Sequence, residues 1–173
     1  MIRTLVIKVA ILSTWLTLTL VIWFAVTKSY ATVERVLRTA NPQFVEATQG
    51  MAEGQARLVL RYLASEINRA FFWGYGVAQA VLGGLLLLVL WRETPRDSLG
   101  FIAVCAMMGL VLILTLVFTP MIVSLGRSID FVPRNPPPPV MPRFWALHGA
   151  FTGLDGAKFL AGLGLLIRWI LRS

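Results

Sequence analysis

An uncharged stretch at residues 99–125 reads LGFIAVCAMMGLVLILTLVFTPMIVSL. It exceeds the roughly 20 apolar residues that an α-helix needs to cross the hydrocarbon core of a bilayer. Inside lipid a backbone must satisfy its own hydrogen bonds, and a helix does so. The stretch therefore predicts a membrane span. Pro120 predicts a kink in it, because proline removes one backbone hydrogen bond, and Thr119 and Ser124 are placed to satisfy the freed groups.

Three further stretches have the same character. Residues 9–26 read VAILSTWLTLTLVIWFAV, and residues 70–91 read AFFWGYGVAQAVLGGLLLLVLW. Both are uncharged and long enough to span a bilayer. Residues 144–171 are mostly apolar and carry a few ionisable side chains. The sequence therefore predicts four spans, at 9–26, 70–91, 99–125 and 144–171.

The first span also resembles a secretory signal, because Arg3 and Lys8 precede it. However, its uncharged run of about 18 residues exceeds the 7–15 residues that form the usual core of a signal peptide. We therefore expect residues 9–26 to be a retained transmembrane helix.

The composition agrees with a membrane protein. The chain is 57% hydrophobic and 14% charged, whereas about 25% of a typical soluble domain is charged. Its net charge of +8 would suggest nucleic acid in a soluble protein. Here the basic residues cluster at the ends of the apolar runs, where they meet lipid headgroups. We expect the lipid bilayer as a partner, and no nucleic acid.

The single cysteine, Cys105, excludes an intrachain disulfide and a cysteine-based metal cluster.

Two polar segments separate the spans. Residues 27–69 carry mixed charges and predict a polar helical hairpin, in which Asn41 suits an N-cap and Pro42 the first helical position. Residues 130–142, DFVPRNPPPPVMP, contain four consecutive prolines at 136–139. They predict a stiff polyproline II connector without helix.

The predicted fold is an all-α integral membrane protein. It is a single domain over residues 1–173, with four transmembrane helices in a bundle and an extra-membrane helical hairpin extension between spans 1 and 2. Four spans put both termini on one side. The density of basic residues in the short segments on that side favours cytoplasmic termini in a bacterial inner membrane. The raw count of basic residues, which is higher on the hairpin side, favours the opposite orientation.

The fourth span begins RFWALHGAFTGLDGAKFLAGL, residues 143–163, and is unusually polar. Helix positions i, i+4 and i+7 share a face, which aligns His148, Thr152 and Asp155. Lys158 follows Asp155 by three residues and can pair with it. A lone charge in hydrocarbon is strongly unfavourable, whereas a paired one is tolerated. We expect this stripe to face the interior of the bundle.

The other spans offer polar partners for that stripe. Tyr75 and Gln79 lie on one face of span 2, and Ser13 and Thr17 lie in span 1. The simplest packing therefore places span 4 against spans 1 and 2, where hydroxyl and amide groups satisfy its ionisable side chains.

Span 4 also carries one small residue at every fourth position. This small-xxx-small pattern lets two membrane helices approach closely. We predict that these residues pack against another helix, for which Ala80 and Gly84 of span 2 form a smooth surface. The four small residues are Gly149, Gly153, Ala157 and Ala161.

Several roles are open for the polar stripe. A structural lock that holds the helices in register is the leading interpretation. A proton or ion relay through His148, Asp155 and Lys158 is the kind of arrangement that pumps use, although the chain has no inverted repeat. His148 is also a candidate ligand for haem or a chlorophyll-type pigment, with a second ligand from elsewhere. No nucleophile with suitable spacing accompanies His148, so we expect neither a catalytic site nor a metal site.

The last span resembles a known family. It carries Phe144, then His148 with Gly149, then Asp155 seven positions on, and Thr119–Pro120 precede it. This pattern is similar to that of the uncharacterised four-span membrane family that includes transmembrane protein 205 and its bacterial relatives. The resemblance covers mainly the last third of the chain and implies a four-span bundle. The long hairpin and the proline tract depart from it.

The expected function is that of a non-catalytic membrane subunit or scaffold. The chain is small for an independent transport pathway, and it has more smooth helix faces than one bundle uses. We expect larger integral membrane subunits as partners. The alternative is a cofactor-binding or proton- or ion-conducting protein that uses His148, Asp155 and Lys158, and a small oligomeric transporter is a third possibility.

Overall fold

The computed structural model describes residues 2–39, 41–52, 54–95 and 97–172, and this part of the chain is helical and contains no strand. A π-helical turn, Leu114–Phe118, joins two of the helices without a break. The α-helices are α1 (Ile2–Arg38), α2 (Pro42–Thr48), α3 (Gln55–Arg92), α4 (Ser98–Ile113), α5 (Thr119–Arg127) and α6 (Met141–Leu171).

Four helical stretches are long and apolar enough to cross a membrane, namely α1, α3, α4 continued through α5, and α6. This confirms the prediction of four spans and of an integral, multi-pass membrane protein. The first two helices extend beyond the predicted spans and include part of the predicted helical hairpin. α1 has 37 residues and α3 has 38, which at 1.5 Å per residue is about 55 Å, against about 30 Å of hydrocarbon.

Charged residues mark two levels along the helices. On the side of the chain termini, Lys8 of α1 contacts Glu93 just after α3, with 2.5 Å between Nζ and Oε1. At the other end, Ser29 of α1 donates a hydrogen bond to Asn68 of α3, which precedes Arg69. The α3 segment between the two levels spans about 36 Å at 1.5 Å per residue. This spacing is close to the thickness of a bilayer. The two levels are called below the terminus side and the hairpin side.

Beyond the hairpin-side level, α1 and α3 continue together as the hairpin extension, residues 29–68. Glu34 accepts hydrogen bonds from Arg57 at 2.9 and 2.7 Å, and the Tyr30 and Ser65 hydroxyls lie 2.8 Å apart. At the tip, Asn41 caps α2 through its side chain, with Pro42 at the first helical position, as predicted. These cross-helix contacts hold the two long helices side by side beyond this level.

The spanning helices form a ring in which α1 contacts α3, α3 contacts α4, α4 contacts α6, and α6 contacts α1. The predicted packing of span 4 against spans 1 and 2 is therefore partly wrong. α6 packs against α1 and α4, and it lies diagonally across from α3. The reason is connectivity, since the short turn from α3 to α4 makes those two helices neighbours. Long polar side chains of α3 still reach α6 across the axis.

The larger apolar core fills the terminus-side half of the ring, and a smaller one, formed by Leu114, Ile122 and Phe151, lies nearer the hairpin side. Two glycines permit close approach in the larger core: a methyl group on Gly83 would lie 2.4 Å from Met108 Sδ, and one on Gly162 would lie 2.9 Å from a Leu16 methyl. A larger side chain at either glycine would displace these neighbouring side chains. The larger core consists of the buried residues Leu12, Trp15, Leu16, Leu86, Leu90, Val104, Met107, Val111, Leu165 and Trp169.

The third span contains a π-helical turn, Leu114–Phe118, just before Pro120. The Leu114 carbonyl accepts the backbone N–H of Thr119, five residues on, and also its hydroxyl at 2.9 Å. Both bonds go to the Leu114 carbonyl, whereas the missing Pro120 N–H leaves the carbonyl of residue 115 or 116 without its usual donor, so the predicted compensation by Thr119 and Ser124 stays a prediction. The turn pushes Thr115 towards α3, where only a glycine, Gly76, leaves room for it.

The proline-rich linker packs against the base of the hairpin extension. The Phe131 ring lies 4.8 Å from that of Tyr62, and Asp130 accepts a hydrogen bond of 2.7 Å from Arg69. Pro138 is buried, and its carbonyl accepts the Met141 N–H in the turn that starts α6. The prediction of a helix-free connector over 130–142 is thus wrong at its end, because α6 begins at Met141 and not at residue 144.

Candidate functional site

Seven side chains from three helices meet between the two charged levels and form the polar cluster. α1 supplies Trp15, Thr19 and Trp23, which share one face because they are spaced by four residues. α3 and α6 supply two residues each. The cluster consists of Trp15, Thr19, Trp23, Tyr75, Gln79, Asp155 and Lys158.

An ion pair lies at the centre of the cluster. Lys158 Nζ is 2.5 Å from Asp155 Oδ1, and the two residues are 1% and 0% exposed. Because they are three residues apart on α6, the helix backbone itself sets their separation. The pairing expected from the sequence is therefore present, and it buries both charges completely.

Other donors surround the Asp155 carboxylate. The Trp23 indole donates to Oδ2 at 2.8 Å, and the Tyr75 hydroxyl lies 3.0 Å from the same oxygen. Hydrogen bonds to a charged acceptor are stronger than neutral ones. The carboxylate thus has an ammonium, an indole and a phenol as partners, each from a different helix.

Lys158 is satisfied from the opposite side. Its ammonium donates to the Gln79 side-chain oxygen and, at 3.3 Å, to the Tyr75 hydroxyl. Gln79 also accepts a hydrogen bond of 2.9 Å from the Trp15 indole. Tyr75 has a single proton, which goes either to Asp155 or to Thr19 Oγ1 at 2.9 Å. The network therefore connects α1, α3 and α6 through their side chains.

The cluster lies midway between the basic residues that flank the fourth candidate span. Asp155 is 12 residues after Arg143 and 13 before Arg168 on α6, or about 18 and 20 Å from them at 1.5 Å per residue. At this depth water is scarce and an unpaired charge is most unfavourable. Breaking the network at this position would therefore destabilise the folded protein strongly.

Sequence reasoning identified four of the seven members and missed those on α1. Thr19 is buried, whereas Thr17 is exposed. The tryptophans were overlooked because such residues usually lie at the membrane surface. The spacing of Trp15, Thr19 and Trp23 by four residues is the signal that would have revealed them. Thr152 is not a member, since it is exposed and donates to the His148 carbonyl at 2.9 Å.

His148 lies apart from the polar cluster, nearer the hairpin side, among aromatic rings. The Phe144 ring stacks on it at 5.9 Å, and the Phe72 and Trp145 rings meet it edge-on at 6.1 and 6.0 Å. Its Nδ1 is buried and has no hydrogen-bond partner among the described residues. The predicted alignment of His148 with Asp155 along one helix therefore does not produce a shared network.

These surroundings give little support to a haem or pigment on His148. A ligating imidazole usually donates its other ring N–H to a carboxylate or carbonyl. No described residue takes this role at Nδ1. If Nδ1 itself were the ligand, it would lie buried among the aromatic rings. The described residues also contain no group of three histidine, cysteine or acidic side chains that could hold a metal ion.

The stripe of small residues on α6 lies on the outside of the ring. Gly149, Gly153, Ala157 and Ala161 are all exposed, and open space lies beside both glycines. The expectation that the stripe packs against span 2 is wrong, because that helix is diagonal to α6. The close approach within the chain occurs instead at Gly162, on a different face of α6.

A second group of charges holds the terminus side together. Asp97 caps α4 by accepting the Gly100 N–H at 3.1 Å, and Arg168 binds the same carboxylate through two hydrogen bonds of 2.9 Å. The Trp169 indole adds a third donor at 2.6 Å. The bonds from Arg168, followed by those from Trp169 and Gly100, hold the pKa of Asp97 well below its ordinary value despite its partial burial. This carboxylate therefore joins α4 to α6.

Fold and site together define a multi-pass membrane protein with a buried, fully paired polar cluster. No protein-family model, curated protein or solved structure matches the chain.

Proposed function

We propose that this protein is a non-catalytic integral membrane subunit that packs against the transmembrane helices of a larger partner. The observation that carries the proposal is the exposed stripe of small residues on α6. Lipid chains fill any surface, so a smooth helix face gives no advantage against lipid. Against another helix it permits close backbone contact and dense packing.

The polar cluster supports a structural role for the interior. Its two charges neutralise each other, and every member has a hydrogen-bond partner. Such an arrangement fixes the relative positions of the helices, because a shift of α1 or α3 against α6 would remove hydrogen-bond partners from two buried charges. A rigid interior suits a protein whose outer faces must stay in register with a partner.

The finer architecture belongs to the same proposal. Four spans form a bundle with the hairpin extension on one side, in a bacterial inner membrane, with both termini in the cytoplasm. The short basic segments on the terminus side support this orientation. The extension then faces away from the cytoplasm. The resemblance of the last span to the transmembrane protein 205 family is compatible with this bundle and specifies no activity.

The test is co-purification from native membranes in mild detergent, with variants of the stripe. Gly153→Ile and Ala157→Ile fill the stripe with branched side chains and should abolish recovery of the partner. Gly109→Ile is the matched control, because Gly109 also has open space beside it but lies on α4. Mass spectrometry of the eluate identifies what is lost.

Two results would contradict the proposal. One is partner recovery that is equal for the stripe variants and the wild type. The other is recovery that falls equally for Gly109→Ile, because the effect would then be a general loss of folding. Circular dichroism of each purified variant shows whether its helix content is retained. It therefore distinguishes a loss of folding from a loss of the partner contact alone.

The second candidate function is proton or ion conduction. The observation that favours it is the charged pair of Asp155 and Lys158 near mid-membrane, a position at which ionisable residues often serve transport. The protein reconstituted in liposomes would then dissipate a pH gradient, and Asp155→Asn would stop it. Unchanged leakage relative to empty liposomes rules this candidate out.

A further inference from the structure

The outward face of α3 differs from that of α1 in the hairpin extension. Both faces lie beyond the hairpin-side level, in the same aqueous layer. α1 exposes Arg35 and Arg38 there. α3 exposes large apolar side chains instead, with Leu63 at 55% and Ile67 at 42%. Water therefore meets a polar surface on one helix and an apolar surface on its neighbour.

This apolar surface continues along α3 into the membrane. Its members are spaced alternately by four and three residues, so they stay on one side of a helix that packs against another at a small left-handed angle. None is charged, and open space lies beside Gly74. The α3 stripe consists of the exposed residues Leu63, Ile67, Ala70, Gly74, Val77 and Val81.

Lipid does not cover the whole stripe. Leu63 is six residues beyond Arg69, which is about 9 Å at 1.5 Å per residue. The headgroup layer adds only about 5–7 Å outside the hydrocarbon on each side. Leu63 therefore projects past the headgroups, whereas Val77 and Val81 lie at lipid depth. An occupant of the full stripe must itself cross the membrane and protrude on the hairpin side.

We propose that the occupant is α3 of a second copy of this chain, in a parallel dimer about an axis along the membrane normal. Two copies in one membrane share their orientation, so corresponding residues meet at the same depth. The protruding apolar segments of the two copies then meet each other, because both copies extend the same distance beyond the membrane.

The residues at the centre of the stripe fit such a pair. Ala70 and Gly74 are four residues apart and let the two helices approach closely. Ile67 and Val77 flank them and supply bulk that interdigitates above and below the closest point. The nearest charged side chain, Glu66, already pairs with Arg69 within the chain. No unpaired like charges therefore meet at the axis.

The dimer surface lies opposite the proposed partner surface. α3 and α6 are diagonal in the ring, so pairing through the α3 stripe leaves the small residues of α6 free. The dimer is thus independent of the proposed partner, and each is tested without the other.

The decisive experiment is disulfide trapping in native membranes. Cys105 is replaced by serine, and single cysteines are introduced as Leu63→Cys, Ile67→Cys and Ala70→Cys. Each should form a covalent dimer on oxidation, at a yield about tenfold above that of Thr32→Cys. Thr32 is the matched control, because it is exposed on α1 at about the same distance from the membrane as Leu63. Equal yields at all four positions overturn the proposal, since they would report random collision.

A second measurement does not depend on disulfide geometry. The mass of the protein in lipid nanodiscs should correspond to two chains, and Leu63→Lys should weaken pairing by about tenfold or more, because two lysines would meet at the axis. Leu63 is exposed and lies outside the lipid, so the substitution leaves the interior intact. Thr32→Lys should have no effect. A wild-type mass of one chain, or a dimer that resists Leu63→Lys, overturns the proposal even where a partner binds α6.

Discussion

Removing Lys158 is the most direct way to test the role of the polar cluster. Lys158→Met keeps most of the side-chain volume and leaves Asp155 without its ammonium. Breaking one partner of a buried ion pair costs about 3–5 kcal/mol. The bonds from Trp23 and Tyr75 to the carboxylate remain, and bonds to charged groups contribute about 1.5–3 kcal/mol each. We therefore expect a loss near the lower limit, about 3 kcal/mol.

The double variant distinguishes pairing from packing. Asp155→Asn alone strands the ammonium of Lys158 and should also cost about 3 kcal/mol. Combined with Lys158→Met it removes both charges and keeps an acceptor for Trp23 and Tyr75. The double variant should lose only about 1 kcal/mol, because replacing a whole buried pair is often nearly neutral. The two single losses would sum to about 6 kcal/mol if they were independent.

Reversible unfolding in mixed micelles measures these differences. The fluorescence of the six tryptophans reports the transition, since two of them belong to the cluster. Single variants that lose less than about 1 kcal/mol would falsify the structural role of the pair. A double variant that loses as much as the two singles together would show that the charges do not compensate each other.

Three further predictions concern other contacts. Thr19→Val should lose about 1 kcal/mol, because it removes an acceptor of the Tyr75 hydroxyl, while Thr17→Val, at an exposed position, should change stability little in the same unfolding assay. Gly76→Ala should lose about 1–3 kcal/mol, because the new methyl group would lie 2.5 Å from the Thr115 side chain, whereas Gly109→Ala has open space and should be neutral or stabilising; equal effects would contradict the close contact. The native pKa of Asp97 lies below its ordinary value of 3.8, so its contribution is present above about pH 4 and is lost as the pH falls further. Asp97→Asn should therefore lower the melting temperature at neutral pH and narrow its difference from the wild type in acid, and a constant difference would refute the assignment.

The class of protein and much of its local structure follow directly from the order of its residues. Four uncharged or weakly charged runs specify four membrane-crossing helices, because lipid imposes the same length and polarity on every span. The Asn41–Pro42 start of α2 was also predictable, because capping depends only on adjacent residues. The pairing of Asp155 with Lys158 was predictable for the same reason, since one turn of helix brings the two together.

Which helix faces meet depends instead on how the four spans pack together. Apolar side chains cover both the inner and the lipid-facing surfaces of a span, so hydrophobic periodicity does not reveal the buried face. Periodicity therefore does not distinguish Thr17, which is exposed, from Thr19, which is buried, and it does not show that the small residues of α6 lie outside. The diagonal position of α3 and α6 depends on how all four helices close into a ring. It brings Tyr75 and Gln79 to Lys158 across the axis and leaves the smooth face of α6 outside.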